Sequence, residues 1–355
     1  MPGSLSKYSF INAKLRARIS QILPDPVVRQ LARAPSLEAA LSLLRETPFA
    51  RLEDIYSATG DLRQAELALL KDEIELYRNV KGHLHRDSVE LVDALLYQFE
   101  VDNLKNAIRV FFERTFRRRP ADATAHYILH EPILHEIPMD VVLHARSFEE
   151  IAGVCEGTPY GRIIRKYSHV VESDQTLFRM EIALDHFYYE KLLSAIEKLG
   201  RDDRAIARRL VGVRIDLQNI DWIIRLRRFY ELPLETAMTA IVRGGFSLGE
   251  RTIRELYRAE NVTSALQGFV TTTYPGLSTL LSGQASDSAG RLQLIQRVMD
   301  EIMKQEIQRI LTGYPFTVGI ILAYFMLKGN ELDRIRVILN AKQQGIEAER
   351  IESMI

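Results

Sequence analysis

The chain has 355 residues, with 47 Lys+Arg balanced by 47 Asp+Glu, and a single cysteine, Cys155. Zero formal net charge excludes a general nucleic-acid binder, which carries a basic excess. A lone cysteine excludes an intrachain disulfide framework and suits a reducing cytoplasm.

Gly and Pro number 19 and 12, so helix breakers are sparse and long helices are expected. Met1 to Lys7 lacks the apolar core of a secretory signal. Leu62 to Arg78 places Leu62, Ala65, Leu69, Ile74 and Leu76 at helical spacing, with Asp61 as its cap. The next helix, capped by Asp87 or Ser88, is expected to run towards Arg118, where Pro120 stops it. His126 and His130 are one helical turn apart and could share a metal. The register fails as a zincin motif, because Leu134 stands where the second histidine belongs. Cys155 reads as a small core residue, and Tyr188 and Tyr189 after Phe187 as core. Arg243-Gly244-Gly245-Phe246 reads as a turn, and Gly283 to Gly290 as a flexible loop. Phe316 to Leu327 is apolar but too short to span a bilayer, which takes about 20 residues. It reads as a buried helix in which Gly319 and Ala323 admit a close neighbour. No segment alternates like a strand.

The chain repeats itself. Glu100-Val101-Asp102-Asn103-Leu104-Lys105-Asn106-Ala107-Ile108-Arg109 is matched by Asp216 to Arg225 and by Glu331 to Asn340. The blocks lie about 115 residues apart. A second block recurs in register: Ser36 leads to Thr47-Pro48-Phe49, Ser147 to Thr158-Pro159-Tyr160, and Asn261 more loosely to Thr272-Thr273-Tyr274. Three helical units are therefore expected, over residues 1–119, 120–232 and 233–355. At 100° per residue each block puts its carboxylate, Glu100, Asp216 or Glu331, on the apolar face. Asp102, Lys105, Asn106 and Arg109 fall on the other side. A buried carboxylate must be paired or hydrogen-bonded. The expected partner is a cation, such as an arginine of another helix that fixes how the helices pack, or a backbone group. Threefold recurrence argues for structure over catalysis. Asn103, Arg109, Asn219, Arg225 and Arg334 belong to the same recurring pattern.

Chemical motifs are missing. There is no Gly-x-x-x-x-Gly-Lys-Ser/Thr phosphate loop and no Gly-x-Ser-x-Gly elbow. No cofactor, metal or catalytic residue is expected. Arg117, Arg118 and Arg119, with Arg225, Arg227 and Arg228, are basic helix ends. They suit the helix dipole, or an acidic partner surface.

The opening Tyr8-Ser9-Phe10-Ile11-Asn12-Ala13-Lys14-Leu15-Arg16-Ala17-Arg18, the Thr-Pro-aromatic blocks and the closing Val318 to Arg336 together resemble the C subunit of the archaeal and bacterial V/A-type rotary ATPases. The counterpart in the eukaryotic vacuolar enzyme is the d subunit. The likeness spans essentially the whole chain. Arg334 stands where the family more often has the Asn that Asn103 and Asn219 keep.

The resemblance implies an all-α fold of three pseudo-equivalent units, forming a funnel around a pseudo-threefold axis. It implies a non-catalytic rotor adaptor, monomeric within a proton- or sodium-translocating complex. The adaptor would lie at the cytoplasmic face of a membrane without crossing it. Its partners would be the D and F subunits of the central stalk and the proteolipid ring. The residues leave two alternatives: a helical scaffold of an unrelated complex, and a metal-dependent hydrolase built on His126, His130 and one of the repeated carboxylates.

Overall fold

The computed structural model describes residues 4–118, 128–228, 231–277 and 288–355. The described residues form seventeen α-helices and no strand. Residues up to Tyr8 and Ile196–Ala323 make one compact unit, and Ser9–Ala195 with Tyr324–Ile355 make another.

The second unit opens with α1 (Ser4–Ile19), most of which belongs to it, then α2 (Asp25–Arg33), α3 (Leu37–Leu43) and α4 (Ala50–Thr59). Its α5 (Leu62–Lys81) starts as expected, with Asp61 Oδ1 accepting the Arg63 N–H, and runs a turn past Arg78. In α6 (Arg86–Thr115) the expected caps are wrong. His85 is the N-cap and supplies no side-chain bond, because Asp87 and Ser88 are already inside the helix. The helix also ends before Arg118, with Phe116 as its C-cap. Arg118 then turns the chain at φ 52. Next come α7 (Met139–His144), α8 (Phe148–Val154), α9 (Tyr160–Asp174) and α10 (Phe178–Glu197). Cys155 follows α8 as its C-cap and is fully buried, and burial pushes its thiol up to about 12. That is the behaviour of a packing residue. Tyr188 and Tyr189 are buried, as expected of core.

The other unit contains α11 (Arg201–Arg228), α12 (Leu234–Met238), α13 (Glu250–Arg258), α14 (Val262–Thr273), a 3₁₀ turn at Pro275–Leu277 and α15 (Ser288–Thr312). Ser288, Ala289 and Gly290, expected in a loop, already belong to α15, and 283–287 lie outside the described residues. Helix α16 (Gly319–Gln343) begins in this unit, and α17 (Ala348–Glu352) closes the chain in the other. A Cβ on Gly319 would stand 2.7 Å from Ile310 Cγ2, so the close approach expected there is real. No described helix is long and apolar enough to cross a membrane.

One boundary expected from the repeats, 119/120, lies outside the described residues. The other, 232/233, lies between α11 and α12. Short helices recur with one capping scheme. Ser36 Oγ accepts the Ala39 N–H, Ser147 Oγ the Glu150 N–H, and Asn261 Oδ1 the Ser264 N–H. Thr47 and Thr158 then bond alike, each hydroxyl donating to the carbonyl three residues back. The third block departs from this: α14 continues through Thr272, whose hydroxyl bonds the Gly268 carbonyl. The loss of Pro at that point lets the helix run on.

Candidate functional site

The three block carboxylates are all buried, with relative exposures of 1% for Glu100, 2% for Asp216 and 5% for Glu331. Of the two kinds of partner expected, cation or backbone, main-chain N–H groups are common to all three, and no arginine hydrogen bond to them is present among the described residues. Glu100 Oε2, on α6, accepts from Leu134 N and His135 N, each at 2.7 Å. Its Oε1 meets the Tyr160 hydroxyl and His135 Nδ1, also at 2.7 Å each. On α11, Asp216 Oδ2 accepts from Phe246 N at 3.1 Å and Ser247 N at 2.6 Å, and Oδ1 accepts from Leu248 N at 3.0 Å. On α16, Glu331 Oε1 accepts from Leu23 N at 2.7 Å, and Lys328 Nζ donates to Oε2 at 2.9 Å.

These contacts follow one order along the chain. Each carboxylate grips the loop just before a short helix: α7 after His135, α13 after Leu248, and α2 after Leu23. Physically, a loop entering a helix leaves unpaired N–H groups, and an acid rising from a neighbouring long helix satisfies them. Burial raises the Asp216 carboxyl, while the N–H groups of Ser247, Leu248 and Phe246 oppose it. The turn that wraps Asp216 needs its glycines, since Gly244 has φ 99.

A second clamp lies one turn further along. Asn103 Oδ1 accepts from Leu129 N at 2.8 Å, and Nδ2 donates to Leu129 O at 2.9 Å. Asn219 repeats this with Val242, at 2.9 Å and 2.8 Å. Both amides are buried. In the third block Arg334 takes the Asn position and donates instead to Asp25 Oδ1, at 2.8 Å. The recurring aromatic lies at the acid or beside one of the acid's partners. The Tyr160 hydroxyl binds Glu100 itself, and the Tyr274 hydroxyl meets Ser247 Oγ at 3.3 Å. Phe49 has no hydroxyl. Its ring lies 4.3 Å from Lys328 Nζ, the cation that binds Glu331.

Lys105, assigned to the exposed side, is buried. Its Nζ meets Asp185 Oδ1 at 2.6 Å and Asp102 Oδ1 at 3.3 Å. Burial pulls the ammonium down, and Asp102 and Asp185 more than reverse it. The aliphatic stem explains how a helical-wheel map misplaces it. Arg109 binds Glu181 Oε1 at 2.6 Å, and Arg225 binds Asp221 at 2.8 Å. Neither faces the block carboxylate.

Among the basic helix ends, Arg117 is exposed and pairs with Glu113 at 3.1 Å. Arg118 is exposed, and Arg227 is exposed beside the Tyr257 ring. Arg119 and the Arg228 side chain lie outside the described residues, as does His126. His130 is not in a helix and faces Asp140 at 3.2 Å. Among the described residues no three His, Cys, Asp or Glu side chains are grouped to hold a metal.

The sequence profile described as ATP synthase (C/AC39) subunit matches residues 11–354. The chain belongs to this family. Its relatives include proteins named as the C subunit of A-type ATP synthases. That of Methanosphaera stadtmanae is 23% identical over 98% of this chain and 87% of its own length. That of Methanocaldococcus jannaschii is 22% identical over 99% and 86%. That of Pyrococcus abyssi is 24% identical over 98% and 90%.

Proposed function

We propose that the chain is the C subunit of an A-type ATP synthase, acting as a non-catalytic rotor adaptor. It joins the central stalk, built of the D and F subunits, to the membrane proteolipid ring, and transmits torque between ATP turnover and ion translocation. The observation that carries the reading is full-length family membership alongside relatives that bear that name. In this reading the blocks mark three pseudo-equivalent units, about 115 residues each, set as a funnel about a pseudo-threefold axis. The carboxylate contacts support it, because with boundaries at 119/120 and 232/233 Glu100 reaches Leu134 of the second unit, Asp216 reaches Ser247 of the third and Glu331 reaches Leu23 of the first. A socket under torque needs such cross-links between units. It needs no reactive group, and the three acids are spent on main-chain N–H groups.

The test is reconstitution. A complex of catalytic head, D–F stalk and detergent-held proteolipid ring should couple only when this chain is added. ATP hydrolysis by the detached head should proceed without it. Failure of the chain to bind either a D–F stalk or a ring would favour a scaffold of another complex.

A further inference from the structure

Several polar links between long helices elsewhere in the chain pair full charges. Lys105–Asp185 and Arg109–Glu181, each at 2.6 Å, join α6 to α10, and Arg209–Glu306 at 2.7 Å joins α11 to α15. Where α5 meets the part of α16 beyond Tyr324, the scheme differs. Glu66 and Glu73, both buried and two turns apart, share one face of α5. Their hydrogen-bond donors from α16 are neutral. Asn340 Nδ2 donates to Glu66 Oε1 at 2.7 Å, and the Tyr324 hydroxyl donates to Glu73 Oε2 at 3.2 Å. Glu66 Oε2 is buried and has no hydrogen-bond partner among the described residues. The nearest cation, Arg336, stands 3.9 Å away, is 43% exposed and is shared with Asp333. The rest of the lining is apolar, with Leu52, Leu69, Leu332, Ile335 and Leu339 around the carboxyl.

We propose that this seam is held by a proton: Glu66 sits between α5 and α16 as the neutral acid, and its ionisation loosens the two helices. A carboxylate there would lack a partner on one oxygen in an apolar cleft, the costly arrangement. The neutral acid leaves no buried charge. The groups facing Glu66 are Arg336 and Asn340 from α16 and Asp61 at the head of α5. From α4, Leu52 is apolar, and Arg51 is engaged by Asp72 at the exposed side. Two turns on, Glu73 faces Lys328 and Tyr324 from α16, Tyr77 from its own helix and Arg18 from α1. Glu73 Oε1 also lacks a hydrogen-bond partner and burial raises that carboxyl too, but two cations, Lys328 and Arg18, oppose the rise there, against the single half-exposed Arg336 at Glu66.

Burial pushes the Glu66 carboxyl up to about 7, against Arg336 and Asn340, with Asp61 adding to the rise. The folded seam thus keeps a proton that the opened chain loses near 4.5. Between those values the closed form binds more protons, so its stability falls as pH rises and levels off above about 7. The gap corresponds to at most about 300-fold in the opening equilibrium.

Amide hydrogen exchange of the full chain, corrected for intrinsic rates and followed from about pH 5 to pH 8, tests this. Amides of α5 and of α16 beyond Tyr324 should lose about tenfold or more protection relative to α11. Glu66→Gln should flatten that dependence. Arg336→Gln removes the one cation that favours the carboxylate, so its midpoint should move to higher pH. Protection in the seam that tracks α11 at every pH would overturn the proposal. So would a Glu66→Gln profile with the wild-type slope. If Glu66→Gln fails to fold, an Arg336→Gln midpoint identical to wild type overturns it instead.

Discussion

Gly245 lies so close to Asp216 that a Cβ built on it would overlap the Asp216 Oδ1 oxygen. The turn comes that close because it delivers three consecutive N–H groups, those of Phe246, Ser247 and Leu248, to one carboxylate. Gly245→Ala must displace either the acid or the turn, and both strand buried polar groups. The expected loss is about 2–4 kcal/mol in denaturant unfolding. Gly60, at φ 67 with nothing within 4 Å of its built Cβ, is the control. There Ala should cost only about 1 kcal/mol. Equal losses at the two glycines would mean that the carboxylate contact contributes nothing.

The carboxylates themselves should cost more to remove than surface acids. Glu100→Ala strands Leu134 N, His135 N and the Tyr160 hydroxyl, and Glu331→Ala strands Leu23 N and Lys328. Each should lower unfolding free energy by about 2–5 kcal/mol. Exposed Glu149→Ala, which breaks only a 3.0 Å surface bond to Arg165, should stay within about 1 kcal/mol. An unchanged melting temperature for Glu100→Ala would show that water replaces the acid at no cost.

The two asparagine clamps make a sharper chemical test, because the side chain donates and accepts at once. Asn103→Ala leaves Leu129 N and O unpaired and should cost about 1–3 kcal/mol. Asn103→Asp keeps the size but sets an oxygen against the Leu129 carbonyl, so it should be worse than Ala. Asn219→Asp, facing Val242, should behave the same way. If Asp were tolerated better than Ala at either position, the amide would not be holding the loop. Thermal unfolding of the Ala and Asp variants at both positions, Asn219→Ala included, reads the order directly.

The all-helical class, the Asp61 cap, the close approach at Gly319 and the burial of Glu100, Asp216 and Glu331 were legible in the sequence. Each follows from local spacing or from a residue's own backbone chemistry. What the acids bind was not. A wheel shows that Glu100 faces inward but cannot say whether an arginine or a loop waits there. The loop partners, Leu134 and His135, carry their signal in N–H groups that nearly every residue has. Lys105 was misplaced because its partner Asp185 lies 80 positions away. Asn340 and Glu66, farther apart still, gave no hint of meeting. Gly244-Gly245 marked a turn, but nothing in the sequence named Asp216 as the acid it wraps.

The last prediction concerns the assembly. An adaptor is pressed between two partners, and each of its faces has to stay hydrated until it is covered, so charged side chains are expected there. Arg117, Arg118 and Arg227 are exposed arginines at or just beyond the ends of long helices. Arg117 pairs with Glu113 at 3.1 Å, in an exposed setting where a salt bridge is worth little. Reversing these three charges should therefore leave folding nearly unchanged, within about 1 kcal/mol of wild type. If the arginines meet an acidic face of the stalk or the ring, the same triple variant should assemble more weakly. It should also lose its complex at lower salt than wild type, because oppositely charged rims are screened by ions. Gel filtration of reconstituted complexes across a salt series, with ATP hydrolysis by the detached head as internal control, separates the outcomes. Assembly identical to wild type at every salt concentration would make these arginines ordinary solvated helix ends. A head whose own hydrolysis changed with the variant would contradict the adaptor role itself.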